Sequence, residues 1–166
     1  MQKRITDVQS ILDSFRRIVR VLRESSRAAE QRVGLSGAQL FVLQTLARSP
    51  SLSLNELAER TRTHQSTVSV VVSKMVDRGL VERTASPDDA RRLVLSLTKE
   101  GRELLRRAPD AAQEKLIFGI EKLPARERTR LSTLLNHLSE TMEVADQDPG
   151  MMFDDDTPRR PKTGRG

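Results

Sequence analysis

The chain has 166 residues, a formal net charge of +6, no cysteine, tryptophan or tyrosine, and four phenylalanines as its whole aromatic complement. The missing thiols exclude disulfides, thiolate metal sites and cysteine nucleophiles, and the scarcity of rings leaves little for stacking the bases of a single strand. The length suits one compact domain with appended helices, and the positive balance favours a polyanionic partner.

Residues 5–32 carry Ile5, Val8, Ile11, Leu12, Phe15, Ile18, Val19 and Leu22 at steps of three and four, which predicts an amphipathic helix. Its stripe is mostly aliphatic and suits packing on other helices better than a membrane surface. Gly34 ends it. Ser36 and Gln39 have the spacing of a capping box, and Leu40, Leu43, Leu46 and Ala47 form one face of the helix that follows, closed by Ser49-Pro50. The same box recurs at Ser53 and Glu56, opening a short helix to about Arg60 with Leu54, Leu57 and Ala58 turned inward. Thr61-Arg62-Thr63 reads as a turn, with Thr63 able to cap the next helix.

From His64 to Arg78 the β-branched run Val70-Val71-Val72 favours strand locally. The recurrence of Val68, Val71, Val72, Met75 and Val76 decides for helix and leaves Gln65, Ser66, Ser69 and Ser73 on another face, with Gly79 as its stop. Residues 80–83 and 93–97 read as two strands joined by the turn-rich Ser86-Pro-Asp-Asp89. Thr98 caps a helix whose apolar pattern runs through Leu104, Leu105, Ala108, Ala111, Ala112, Leu116, Ile117 and Ile120, and Pro109 predicts a kink in it. Pro124 opens a last helix with Leu131, Leu134, Leu135, Leu138 and Met142 on one side.

A helix pair followed by a charged ribbon is a shape that grips duplex DNA. A helix in the major groove presents small polar groups from its first turns. Gln65 can make a bidentate contact to adenine, and Ser66, Thr67 and Ser69 can bond bases or phosphates. His64 can touch phosphate or remain solvated. At the ribbon, Asp89 stands two residues before Arg91 and can orient its guanidinium. An arginine so held can enter a narrow minor groove, with Arg83 and Arg92 left for phosphates.

Residues 36–101, through LNELAERT, STVSVVVSKMVDRGLVER and SPDDARRLVLSLTKEG, resemble the winged helix-turn-helix of the MarR (multiple antibiotic resistance regulator) family of bacterial transcription regulators, and the flanking helices extend the resemblance over about residues 5–145. It implies a mainly α fold with a small β-wing: an N-terminal dimerisation helix in 1–33, a winged helix-turn-helix DNA-binding domain in 34–98, C-terminal dimerisation helices in 99–146, and a tail, 147–166, expected to be disordered from its Pro, Gly and charge content. It implies a cytoplasmic homodimeric repressor on a pseudo-palindromic double-stranded site. Gln65, Ser66, Thr67 and Ser69 match the recognition-helix positions, and Asp89 and Arg91 the wing pair. Arg62 stands where glycine is frequent and offers an extra phosphate contact. Val70 stands where arginine is frequent. With Thr63, His64, Arg83 and Arg92 these complete the expected DNA-binding set.

Family members often take small phenolic or other aromatic ligands between the DNA-binding and dimer regions, and Arg16, Arg20, Arg48 and His137 are the groups that could assist an anion there. No P-loop, G-x-S-x-G, G-x-G-x-x-G or H-E-x-x-H occurs, so neither an enzyme nor a bound cofactor or metal is expected. No apolar run long enough to span a membrane and no secretory leader is legible. The rival reading is a winged protein-interaction scaffold that no longer binds DNA.

Overall fold

The computed structural model describes residues 2–87, 89 and 91–154, with side chains from Asp7 onward; the side chain of Ile5 and the end of the chain lie outside it. Seven helices and one hairpin follow in order: α1 (Gln2–Val33), α2 (Gly37–Arg48), α3 (Leu54–Thr61), α4 (Gln65–Asp77), β1 (Val81–Ala85), β2 (Leu93–Leu97), α5 (Lys99–Leu105), α6 (Ala112–Lys122) and α7 (Ala125–Thr141).

Both capping boxes form. Ser36 Oγ accepts from the Gln39 N–H at 3.2 Å while Gln39 Oε1 accepts from the Ser36 N–H at 3.1 Å, and Ser53 and Glu56 repeat the exchange. These reciprocal bonds satisfy donors that a helix start would otherwise leave unpaired. Thr63 does not cap α4. Its hydroxyl donates back to the Thr61 carbonyl at 3.0 Å, and His64 takes the cap position without a side-chain bond.

The core is built around α2. Leu40, Val42, Leu43 and Leu46 are sealed from solvent against Leu57 of α3, Val68, Val71, Val72 and Met75 of α4, and Val81, Leu95 and Leu97 of the hairpin. Ala47, expected on the same face, is exposed. The β-branched run therefore helps to seal α4, with Val71 and Val72 inside and Val70 outside. Tertiary burial overrides its strand preference.

After Asp77 the chain reverses through Gly79 at φ +67. The Leu80 N–H donates to the Met75 carbonyl at 3.0 Å and the Gly79 N–H to the Val76 carbonyl at 2.8 Å. This is the paired-bond helix terminus that requires a left-handed residue. The hairpin is antiparallel, from Val81 opposite Leu97 to Ala85 opposite Leu93. Leu95 also donates to the Leu52 carbonyl at 2.7 Å, which pins β2 to the loop before α3.

Pro109 does more than kink a helix. The pattern divides into α5 and α6 with residues 106–111 between them. The buried amide of Gln44 holds this break, donating to the Pro109 carbonyl at 2.8 Å and accepting from the Ala111 N–H at 2.9 Å. Ser25 Oγ donates to the Asp110 carbonyl and accepts from the Ala112 N–H, both at 3.1 Å, so α1 supplies the missing cap of α6.

The hydrophobic cluster also takes in Ala29 and Val33 of α1, Ala111, and Met151 from beyond α7, so the expected segments share one core. Residues 147–154, expected to be disordered, fold back on the body. Residues 155–166, with Arg159, Arg160, Lys162 and Arg165, lie outside the described part. Along α1 only the C-terminal third is packed: Val8, Ile11, Leu12, Phe15, Ile18 and Val19 are exposed, and α7 buries no residue.

Candidate nucleic-acid interface

Burial of Val68, Val71, Val72 and Met75 fixes the rotation of α4 and leaves Gln65 and Ser66 exposed at its first turn. Thr67 and Ser69 are half-buried at the edges of that face, and His64 is exposed beside it. Val70 is 45% exposed in the middle of the face, an apolar spot among hydroxyls. Such a spot can meet a thymine methyl.

The wing reaches this face through Arg83, whose guanidinium donates to Ser73 Oγ at 3.3 Å. Arg83 is thus a link between β1 and α4. Arg92, expected on phosphate, pairs with Glu56 instead. Glu56 accepts from the Ser53 N–H at 2.7 Å and from the Ser53 hydroxyl at 2.8 Å as well. The Arg92 hydrogen bond, followed by those from Ser53, pulls its carboxyl from 4.5 down to about 2. One glutamate therefore caps α3 and holds the wing against it. The capping half of that role is legible in the sequence; the partner across 36 residues is not.

At the wing tip the aspartate acts on backbone. Asp89 Oδ1 accepts from the Arg91 N–H at 3.0 Å, and the Asp89 carbonyl accepts from the Arg92 N–H at 2.9 Å. Among the described residues no ion pair joins the Asp89 and Arg91 side chains. The expected grip on the guanidinium is replaced by an Asx turn that shapes the tip and leaves the exposed Arg91 side chain pointing away from that bond.

Arg62 takes the left-handed conformation that glycine would hold, at φ 53 and ψ 41, and closes α3. Its guanidinium pairs with Glu121 of α6 at 2.7 Å. This bridge connects the helix-turn-helix to the C-terminal helices. Beside it lies a cleft of about 320 Å³ lined by Phe41, Thr45, Arg48, Ser49, Arg60, Arg62, Glu114, Ile117, Phe118 and Glu121. Of the four groups singled out for an anion, only Arg48 lines it, paired with Glu114. Arg16 pairs with Asp13 at 2.8 Å on α1, and His137 lies 3.8 Å from Glu140 on the exposed face of α7. The lining rings and arginines come from four separate stretches of chain, which no local spacing could have revealed.

A helix pair with an attached two-stranded ribbon, its second helix exposing a small polar face, defines a winged helix-turn-helix protein. Residues 33–92 match the family model described as MarR family. The chain is 32% identical over 115 residues to an uncharacterized HTH-type transcriptional regulator of Mycobacterium leprae, covering 69% of this chain and 78% of that one. It is 32% identical over 123 residues to the HTH-type transcriptional repressor MdtR of Bacillus subtilis, covering 74% and 72%. In structure it is similar to a MepR-like protein complexed with pseudoligands, with a TM-score of 0.51 and 25% identity over 83% of this chain and 95% of that one. The chain belongs to the MarR family, whose members are transcriptional regulators and not enzymes. Among the described residues no helix is long and apolar enough to cross a membrane.

Proposed function

We propose that the chain acts as a homodimeric repressor occupying a pseudo-palindromic double-stranded site, with α4 in the major groove and Arg91 in the flanking minor groove. The observation that carries this reading is the joining of the exposed Gln65–Ser66 face to an exposed arginine-tipped wing within one module. In the docked arrangement Gln65 reads a base edge, while Ser66, Thr67, Ser69, Thr63 and His64 contact bases and phosphates around it. Arg91 adds positive charge where an A·T-rich groove is narrow. Arg83 and Arg92 position the wing from behind.

Dimerisation is supported by apolar surface that the single chain leaves bare. Leu131, Leu134, Leu135, Leu138 and Met142 on α7 and Val8, Ile11, Leu12, Phe15, Ile18 and Val19 on α1 form exposed stripes. Surface of this extent marks an interaction site. The two-fold axis would place the α4 helices about 34 Å apart, one turn of DNA. The cleft suits a small aromatic acid, with Phe41 and Phe118 for the ring and Arg48 and Arg60 for the charge. Its occupant would compete for Arg62 or Arg48 with their glutamate partners and so shift the helix-turn-helix against α6. MdtR is a repressor by name, which favours repression over activation here.

The test is selection of bound genomic fragments followed by gel shift with the Arg91→Ala variant. The expected outcome is a substantial loss of affinity on every fragment together with loss of the preference for A·T-rich flanks. Unchanged affinity on the selected fragment would remove the wing from the interface, and failure to retain any duplex at low salt would favour the scaffold reading.

A further inference from the structure

The segment after α7 has a built seat on the DNA-binding module. Asp148-Pro149-Gly150 forms a turn in which Asp148 Oδ1 accepts from the Gly150 N–H at 3.0 Å, with Gly150 at φ +58. The turn delivers Met151 into the hydrophobic cluster at 8% exposure. The Met152 carbonyl accepts from Gln113 Nε2 at 2.7 Å, and Phe153 passes so close to α2 that a Cβ at Gly37 would lie 3.2 Å from its own. Asp154, its side chain 8% exposed, ends on Lys74 of α4, with Oδ1 at 3.3 Å from Nζ.

Lys74 lies one turn beyond Val70 and next to Ser73, at the border of the exposed face of α4. A lysine there can serve as a phosphate contact, because its long stem reaches past the helix edge. In this structure a carboxylate from the same chain occupies it. The pairing cancels the charge of Lys74 and sets a negative group where a phosphate would approach. We propose that residues 147–154 form an autoinhibitory strap, in which Met151 anchors the segment and Asp154 competes with the DNA backbone for Lys74. The proposal rests on the DNA-binding reading above. Duplex binding displaces the acidic end, so the strap lowers affinity without choosing a sequence, since phosphate contacts carry no base information.

The experiment compares full-length wild type, Asp154→Asn, Met151→Ser, Lys74→Gln and the Asp154→Asn/Lys74→Gln double variant on one selected duplex and one random duplex across a salt series. Asp154→Asn should bind both duplexes roughly 3–10-fold tighter at about 0.1 M salt, and the slope of log affinity against log salt should steepen by about 0.9 for each Lys74 released. Met151→Ser should change affinity in the same direction. The double variant should match Lys74→Gln alone. If Asp154→Asn binds no tighter than wild type, or gains affinity equally without Lys74, the strap does not act this way although the protein still binds DNA. If no form binds either duplex, the DNA-binding reading fails and the strap with it.

Discussion

At the residue scale, the module separates side chains that face outward from those that hold the outward ones in place. Gln65 is exposed at the first turn of α4. Replacing it with Ala should relax discrimination at one base pair by about 1–3 kcal/mol while leaving other positions unchanged. Binding measured on a panel of single-base operator variants checks this, and a uniform loss over the panel would put Gln65 on the backbone. Glu56 belongs to the second group. Its folded carboxyl titrates at about 2 against an ordinary 4.5. As pH falls the unfolded chain takes up the proton first, so the contribution is complete above about 4.5 and is lost on the way down to about 2. The Glu56→Gln variant should therefore be less stable than wild type near neutrality, and the difference should shrink through that acid window. Denaturant midpoints measured at several pH values, at low salt because the pair is exposed, give the comparison. A constant difference down to pH 2 would show that the charge on Glu56 contributes nothing. The two capping boxes were legible because their partners lie three residues apart, whereas the Arg92 partner of Glu56 and the backbone role of Asp89 depend on how the wing folds onto α3.

At the element scale, one carbonyl joins α4, the wing and α5. The Leu80 carbonyl accepts from the Thr98 N–H at 3.1 Å, Thr98 Oγ1 donates to the Gly79 carbonyl at 2.7 Å, and the same hydroxyl accepts from the Gly101 N–H at 3.0 Å. A Cβ at Gly101 would stand 2.2 Å from the Leu80 oxygen, so the Leu-Thr…Gly signature records a close approach of backbones. Gly101→Ala should destabilise the fold by about 1–3 kcal/mol, as overfilling a packed site does. Chemical denaturation reads it, and an unchanged midpoint would mean that α5 can shift away from the wing freely. The division at Pro109 was only half legible: proline marks the interruption, but it is Gln44 and Ser25, 65 and 85 residues away from their partners, that turn a kink into two helices. The seat of residues 147–154 was hidden for a related reason. Their composition reads as solvated chain, and a single Met151 placed in the core outweighs it.

At the scale of the whole molecule, the chain has a sealed centre and two unsealed arms. Replacing Leu138 with Lys on α7, where the leucine is 41% exposed in the single chain, should cost little if the chain worked alone and should prevent association if it pairs. Sedimentation of wild type and variant distinguishes these outcomes: a loss of the dimer together with a loss of tight operator binding is expected, and a dimer that persists would place the interface elsewhere. Removal of residues 1–30 should likewise yield monomer or aggregate, because it also takes Leu22 and Ala29 from the core. The fold class was legible in the spacing of apolar residues along each element. The cleft beside α6 was not, since it exists only once α2, α3 and α6 have met.

That α7 keeps every side chain outside its own chain has a consequence for dosage. A helix of this length is marginal alone in water, so it gains its order from whatever covers it. Where the cover is a second copy, and the pair alone grips the promoter, occupancy at low abundance falls with the square of the number of chains. A modest drop in synthesis would then open the promoter more sharply than a one-chain repressor could.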